Sequence, residues 1–337
     1  MADEAPGRSK RPSIYDVAKL AGVSHMTVSR VLNGSPNIRP ATKERVEAAM
    51  SEMHYRPSSV ARSLATQRTM RIGAMVDAPS EYGPKTTLLA LEAAARDRGY
   101  SIVPFSNLGD DEAEFEEGIA ELERQGIDAL CIIGPRISTP RIVGEVAATM
   151  PVILIGDLTA DGLVHIDIDQ TGGVTAAVDH LLELGHRSLL HLAGPPHTVV
   201  GVARERAFVH AVSGTGVRWR TVIGDWSSES GYALGASAEA VADATAVFAA
   251  NDQMALGVMH GLWSRGLRVP DDVSVVGFDD MPGAAHFLPP LTTVRQDLYH
   301  LGEVVIETAI SAIGGEIVHS ATVPSTLVIR SSTGPPR

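Results

Sequence analysis

From Arg71 onward, short apolar runs alternate with stretches of helical spacing, and the scheme is carried through twice. RIGAMVD, SIVPFSN, DALCIIG and PVILIGD read as strands, with KTTLLALEAAARDRG, EAEFEEGIAELERQG and PRIVGEVAATM as the helices between them. SLLHLAGP, TVIGDW, AVFAAND and DVSVVGFD repeat the strand pattern, with TGGVTAAVDHLLELG, ARERAFVHAVSG, YALGASAEAVADA and QMALGVMHGLWSRG as helices. Strands that are apolar along their whole length need cover on both faces, which means βαβ units and parallel, doubly wound sheets. Two halves of similar length predict two lobes with a cleft between them. In this architecture ligands bind at the carboxyl ends of the strands. Several strands end there in polar residues: Asp77, Asp157, Asp225–Trp226, Asn251–Asp252 and Asp279–Asp280. Capping of the next helix accounts for some of these positions. Asp169, Asp252 and Asp280 are assigned to it.

Charge divides the chain differently. The first 71 residues hold 12 Lys and Arg against 6 Asp and Glu, a net of +6, and the other 266 hold 16 against 34, a net of −18. A basic amino-terminal segment on an acidic body fits a nucleic-acid contact module joined to a ligand or assembly module; an uneven solvated surface is the competing reading. The lone Cys131, among the apolar residues of DALCIIG, excludes an internal disulfide and a cysteine-rich zinc site and reads as a buried thiol. No run of 18 apolar residues occurs, and the first twelve residues lack an apolar segment of the secretory type. A reducing, cytoplasmic setting is expected, with no membrane partner.

The basic segment holds three short helices. Ser13 can cap the first, with Asp16 three residues on, and Ile14, Val17, Ala18 and Ala21 form an apolar stripe ended by Gly22. The second opens at Ser24, with Val28, Val31 and Leu32 inward and His25, Met26, Ser29, Arg30 and Asn33 outward. The third begins at Pro40 and runs through Val46, Ala49, Met50 and Met53. A helix, a tight turn at Gly22 and a second helix opening on small polar and basic residues is a helix-turn-helix arrangement. Its second helix docks in the major groove of DNA, where Arg30 could fork onto guanine and Met26 meet a thymine methyl. A small helical bundle without a DNA role stands as the alternative. In YRPSSVARSLATQRT, Val60, Ala61 and Leu64 share one face of a helix too short to persist alone. Leu64 can wedge between base steps in a minor groove, or pack on the body as part of a linker.

IYDVAKLAGVSHMTVSRVLNG, ERVEAAM and YRPSSVARSLA resemble, without a gap over about residues 13–66, the headpiece and hinge helix of the lactose-repressor (LacI/GalR) family of bacterial transcription regulators. By position, the resemblance makes His25 and Met26 the variable base-reading residues, with Arg30 beside them. It places Tyr15, Ser24, Thr27, Ser29, Asn33, Thr42 and Tyr55 at phosphate-contacting or headpiece-positioning sites, and Ala61 and Leu64 on the minor-groove hinge helix. Arg39 departs from the family's Ser cap. HLAGP, VARERAF, GDWS, ANDQMALG, LRVPDDVSVVGFDD and PPLTTVRQD extend the resemblance through the family's periplasmic-binding-protein-like core to about Arg330. Asp157, Arg204, Trp226, Asn251, Asp279 and Gln296 fall on its effector-contacting sites. Trp226 is expected to stack on a pyranose while Arg204, Asn251 and Asp279 hold hydroxyls, an arrangement that favours a galactoside-like sugar over a purine. Core packing is the competing role for Trp226. Asp77 and Tyr82 are the candidates from the first lobe. The stretch NLGDDEAE lacks an arginine that the family's founding member has, and Leu298 stands where that member has Phe.

Other motifs fail on spacing. Gly214 and Gly216 precede Trp219 where a dinucleotide fingerprint needs a third Gly, no Gly-Lys pair exists for a P-loop, and no G-x-S-x-G occurs. His180, His186, His191 and His197 fit no zinc signature and read as scaffold. No catalytic residue, cofactor or metal is assigned. The expected protein is an α/β regulator: an all-α helix-turn-helix headpiece over 12–57, a hinge and linker over 58–69, and a core over 70–331. One lobe takes about 70–167 and 297–323, the other 168–296 and 324–331. It would act as a homodimer on double-stranded operator DNA, as a repressor released by a small sugar. SSTGPPR carries no leucine heptad, which favours a dimer over a helical tetramer. A cytoplasmic sugar receptor and a sugar-converting enzyme are the rival readings.

Overall fold

The computed structural model describes residues 12–32, 38–55, 68–77, 80–107, 112–158 and 162–337. Asn33, Ala61 and Leu64 lie outside them, with most of the segment expected as the hinge helix. The chain divides into two compact units, Met1–Thr69 and Met70–Arg337.

The first unit holds α1 (Ile14–Ala21), α2 (His25–Leu32) and α3 (Pro40–Glu52). Ser13 and Asp16 close a reciprocal capping box at the start of α1, and Gly22, at φ 65°, ends it in the left-handed conformation. Ser24 caps α2 by accepting from the Thr27 amide at 3.1 Å. Arg39 precedes α3 with no side-chain cap, and Pro40 supplies a preset φ in its place. Val17, Ala18, Ala21, Val28, Val46 and Ala49 meet in a small core, with Val31, Leu32, Met50 and Tyr55 packed around it.

The second unit contains two six-stranded sheets. The first has strand order β11-β5-β4-β3-β1-β2, from β1 (Arg71–Asp77), β2 (Ser101–Asn107), β3 (Ala129–Ile133), β4 (Val152–Ile155), β5 (Val164–Ile168) and β11 (Ala321–Val323). The second has order β12-β10-β9-β8-β6-β7, from β6 (Ser188–Ala193), β7 (Arg218–Ile223), β8 (Ala246–Ala249), β9 (Ser274–Asp279), β10 (Thr292–Gln296) and β12 (Ser325–Val328). All pairings are parallel except β10 with β12. Helices α4 (Tyr82–Asp97), α5 (Glu112–Arg124), α6 (Thr139–Ala147) and α12 (Leu298–Ile313) accompany the first sheet. Helices α7 (Gln170–Glu183), α8 (Val199–Val212), α9 (Ser228–Ala236), α10 (Ala238–Val241) and α11 (Asp252–Ser264) accompany the second. Cys131 is fully buried in the first lobe's core, which pushes its thiol up to about 12.

The chain passes between lobes after β5, β10 and β11. Two of these crossings are tied together: the Asp169 amide donates to the Val323 carbonyl at 2.8 Å, and Ser325 Oγ to the Asp169 carbonyl at 2.8 Å. The carboxyl tail is also part of the second lobe. Ser332 is buried, receives the Val275 amide on its carbonyl, and accepts the Thr292 amide on Oγ at 2.7 Å. His186 reaches the Gly334 carbonyl and His180 the Thr333 hydroxyl, both at 2.9 Å. The core therefore extends past residue 331, and these two histidines hold the tail. His191 lies stacked between Phe208 and Phe248, and burial holds its pKa down at about 4.

Two assignments made from sequence are corrected. Asp169 does cap α7, but Asn251, not Asp252, caps α11, and Asp280 caps nothing. Asp252 is buried and accepts from Thr293 Oγ1 at 2.5 Å and the Met281 amide at 2.8 Å. Asp280 pairs with Arg295 and Arg330 at 2.7 and 2.5 Å. Both carboxylates fasten strand ends together rather than start helices.

Helices α9 and α11 touch backbone to backbone through Gly231, Gly235, Gly257 and Gly261. A Cβ on Gly257 would stand 2.0 Å from the Ser228 carbonyl oxygen. Gly257→Ala therefore sets a helix-propensity gain of about 1 kcal/mol against an overpacking penalty of about 1–3 kcal/mol. The clash is with backbone, which cannot rotate away, so the substitution is expected to lower the urea midpoint of the full-length protein. An unchanged or raised midpoint would show the helices able to separate freely.

Candidate functional site

The carboxyl ends of both sheets face a cavity that opens to solvent. The first lobe contributes Asp77 from β1, the loop and first turns of α4 from Glu81 to Thr87, Gly134–Pro135 after β3, and Gly156 after β4. The second contributes Thr198–Val200, Arg204, Trp226, Asn251 and Asp279. The crossings add Asp167, Ile168 and Gln170 on one side and Gln296, Leu298 and Leu301 on the other.

Arg204 is the central group. It lies 4% exposed on α8, so its charge must be compensated inside the protein. Its Nε donates to Gln170 Oε1 at 2.8 Å, and its Nη1 to the Ala250 carbonyl at 2.5 Å and to Asp279 Oδ1 at 3.5 Å. The guanidinium lies 3.7 Å from the centroid of Phe278 and 5.9 Å from that of Trp226. Asp279 takes a second donor, Gln296 Nε2 at 2.6 Å. Burial nevertheless raises the Asp279 carboxyl to about 6 against the pull of Arg204. Asp279 and Asp280 both have positive φ, 119° and 51°. Strain of this kind persists only where surrounding bonds over-determine the backbone.

Trp226 also sits at positive φ, 72°, and its position is enforced from three sides. Asn251 Nδ2 donates to its carbonyl at 3.0 Å. Asp225 Oδ1 accepts the Ser227 amide and hydroxyl at 2.9 and 2.5 Å, fixing the turn. The indole occupies the space left by Gly194, where a Cβ would meet the ring at 2.2 Å. Asn251 Oδ1 caps α11 through the Met254 amide at 2.8 Å, so this residue anchors the platform as well as lining the cavity.

Opposite, Asp77 is held by a bidentate pair with Arg136, both contacts 2.7 Å, and by Asn107 Nδ2 at 3.1 Å. The backbone of Arg136 bridges to Thr198 of the other lobe. Glu81 is half-buried with its pKa raised, first by burial and then by Asp225. Tyr82 lines the same wall, and burial, then Asp279, raises its phenol.

Five of the six residues assigned from the family resemblance are thus brought together: Arg204, Trp226, Asn251, Asp279 and Gln296, along with both first-lobe candidates. Asp157 is not. Gly156, at φ 148°, turns the chain after β4 and leaves Asp157 exposed outside the cavity. The carboxylate on that side is Asp167, near the end of β5, which sequence reasoning missed with Gln170. VHIDI was not read as a strand, although its alternation puts Ile166 and Ile168 into the core and Asp167 on the other face.

In the first unit, Ser24, His25, Met26 and Arg30 are exposed along α2, with Met26 57% exposed despite its apolar side chain. Tyr15 is also exposed, and its ring lies 5.0 Å from that of His25. Ser24 Oγ and Thr27 Oγ1 are hydrogen-bonded at 3.0 Å. Thr42 is half-buried on α3 and Tyr55 packs on the small core. The result is a rigid helix end carrying a hydrophobe, an imidazole and a guanidinium in water, a face able to read groove edges.

Residues 13–58 match the model of the bacterial regulatory proteins of the lacI family, and residues 178–333 that of the periplasmic binding protein-like domain. The lactose operon repressor of Escherichia coli K12 is 32% identical over 329 residues, 96% of this chain and 91% of its own. The HTH-type transcriptional regulator CelR of Thermobifida fusca is 33% identical over 339 residues, 96% of this chain and 97% of its own. The crystal structure of the Lac repressor dimer bound to operator and the anti-inducer ONPF superposes with a TM-score of 0.86 at 31% identity, covering 96% of this chain and all of that one. This chain belongs to the lacI family. It is a DNA-binding regulator with a periplasmic-binding-protein-like core, and its relatives are regulators rather than enzymes.

The regulator's buried carboxyls make its stability depend on pH. Burial raises Asp167 to about 7, with Asp157 adding to it and the Ile168 amide, Gln170 and Arg204 opposing. A folded pKa above the unfolded one contributes stability at low pH that is lost as pH rises through the folded value. The unliganded protein should therefore gain about 1 kcal/mol from this group between pH 8 and pH 6. The melting midpoint should rise over that interval, and the rise should shrink in Asp167→Asn; equal slopes for the two proteins would count against the assignment.

Proposed function

We propose that this protein is a repressor of sugar-utilisation genes whose hold on its operator is governed by a small sugar in the cleft, with a galactoside-like ring favoured. The observation that carries the reading is the indole of Trp226, fixed over Gly194 beside Asn251, Asp279, Gln296 and Arg204 in one cavity. An aromatic plane beside amide and carboxylate groups offers a sugar both an apolar face contact and paired hydroxyl partners. His25, Met26 and Arg30 read base edges. Tyr15, Ser24, Thr27, Ser29, Thr42 and Tyr55 contact phosphates or position the headpiece, with Asn33, Ala61 and Leu64 in the roles the family resemblance gives them. The regulator works as a cytoplasmic homodimer, two headpieces reading the halves of a near-palindrome. Among the described residues no helix is long and apolar enough to cross a membrane. The operator-bound dimer among the structural relatives supports the assembly. The structure of the transcriptional regulator CelR in complex with cellobiose, at TM-score 0.71 and 31% identity, supports a sugar in the cleft.

Moving the regulator from mostly competent to mostly released needs a differential effector affinity of order 10⁴, about 5.5 kcal/mol. Gel shifts on operator DNA selected from a random pool, with and without lactose, cellobiose and methyl β-galactoside, test the reading. Retention that falls steeply with salt and is relieved by one of these sugars is expected. No retention above the non-specific level would sink it. Arg30→Ala should relax sequence choice at one base pair at a cost of about 1–3 kcal/mol. Trp226→Ala should keep operator binding and lose sugar release; a normal dose response in that variant would remove Trp226 from the site.

A further inference from the structure

The charges around the cavity are unbalanced. Its lining holds four carboxylates, Asp77, Glu81, Asp167 and Asp279, and one cation, Arg204. Asp77 is neutralised by Arg136, and Asp279 accepts from both Arg204 and Gln296. Glu81 faces two further carboxylates, Asp225 and Asp279. Asp167 is buried, takes hydrogen bonds from the Ile168 amide and Gln170, and among the described residues no lysine or arginine stands within ion-pair distance.

Helix N-termini are the usual alternative for holding an anion, because their free amides and dipole favour negative charge. Here four of the helices that begin around the cleft each have one of those amides taken by the protein's own side chains. Asp169 Oδ1 accepts the Gly172 amide at 2.7 Å on α7, Thr198 the Gly201 amide at 3.2 Å on α8, Asn251 the Met254 amide on α11, and Asp297 the His300 amide at 3.0 Å on α12. The N-cap position of α4 is Glu81, whose side chain makes no cap hydrogen bond but places a carboxylate at that helix start. An anionic group entering this space finds Arg204 already engaged through Nε and Nη1, a carboxylate at the start of α4, and the uncompensated carboxylate of Asp167 in the wall.

We infer that the cleft selects its ligand by charge, and that Asp167 sets the selection by accepting a hydroxyl of an uncharged sugar and repelling phosphorylated or carboxylated ones. The inference rests on the sugar-effector reading above and specifies the ligand class of the same site. Hydroxyl donors fit because a buried carboxylate gains from each added donor, whereas a second anion a few ångströms away is opposed by a Coulomb term that low-dielectric surroundings strengthen.

The test titrates full-length protein at pH 8, where Asp167 is largely ionised, following tryptophan fluorescence and heat. The probes are galactose, glucose, lactose and cellobiose, with galactose 6-phosphate, glucose 6-phosphate and galacturonate as the anionic counterparts. At least one neutral probe should bind, with its anionic counterpart at least 30-fold weaker. Asp167→Asn, which keeps the shape and removes the charge, should weaken the neutral probe about tenfold and narrow the neutral-to-anion ratio by a similar factor while retaining operator binding. If the Asn variant does not hold operator DNA, Asp167→Ser replaces it. Wild-type affinity for a sugar phosphate within threefold of its parent sugar, or an unchanged ratio in the folded variant, overturns the inference alone. Binding of none of the seven probes overturns the sugar-effector reading and the inference together.

Discussion

The core is organised around a charge that cannot be left alone. A guanidinium buried as deeply as that of Arg204 costs several kcal/mol of desolvation unless its donors are met, and each of its partners comes from a different part of the chain. Gln170 follows the first crossing between lobes, the Ala250 carbonyl follows β8, and Asp279 ends β9. Satisfying one side chain therefore fixes the ends of two strands and the start of α7 relative to α8. Asp279 then recruits Gln296, at the second crossing. The same contacts that stabilise the second lobe thus reach two of the three segments that cross between the lobes. On the proposed reading, a ligand hydroxyl competing for Asp279 or Gln170 would act directly on those segments and so couple occupancy to shape.

The strained residues follow the same logic. Trp226, Asp279 and Asp280 all have positive φ without being glycine, and all lie at or beside the cavity. Each is held by neighbours that make no other conformation available: Asn251 and Asp225 around Trp226, Arg204 and Gln296 on Asp279, Arg295 and Arg330 on Asp280. Fixing the platform in advance removes ordering entropy that a ligand would otherwise have to overcome. It also explains why Asn251 is more than a ligand-facing amide. With Oδ1 on the α11 cap and Nδ2 on the Trp226 carbonyl, it couples a helix terminus to the stacking surface.

Sequence periodicity was enough for the architecture because the two-lobed core is dictated by burial: ALCII and the VVGF of SVVGFD are apolar runs that could only lie inside covered sheets. The headpiece was legible for a related reason, since Ser13, Gly22 and Ser24 are local signals whose partners lie within four residues. What escaped was whatever depends on distant partners. Asp252 and Asp280 look like caps from their positions after strands, yet their partners are Thr293, Met281, Arg295 and Arg330, between 15 and 50 residues away. Asp157 and Asp167 are ten residues apart, and only the turn at Gly156 decides which one faces the cleft. The carboxyl tail, short and rich in Gly and Pro, carries no periodic signal and is fixed by Ser332 and two histidines.

The two units also differ in how they carry specificity. On α2 the informative side chains are exposed, so exchanging His25 or Met26 would alter what the helix meets while the core of Val17, Val28 and Val46 stays intact. In the cleft Arg204 and Asp279 are buried and bonded to one another, so a change at either alters folding energy together with the cavity wall. A reader surface of that kind can diversify by single substitutions, whereas the effector site can change only through residues outside the Arg204 network. Asp167, held by the Ile168 amide and Gln170 and carrying no ion pair among the described residues, stands at the margin of that network. It joins the network at its edge, through Gln170 alone, which makes it a place where ligand choice can shift at a lower cost to the fold than at Arg204 or Asp279.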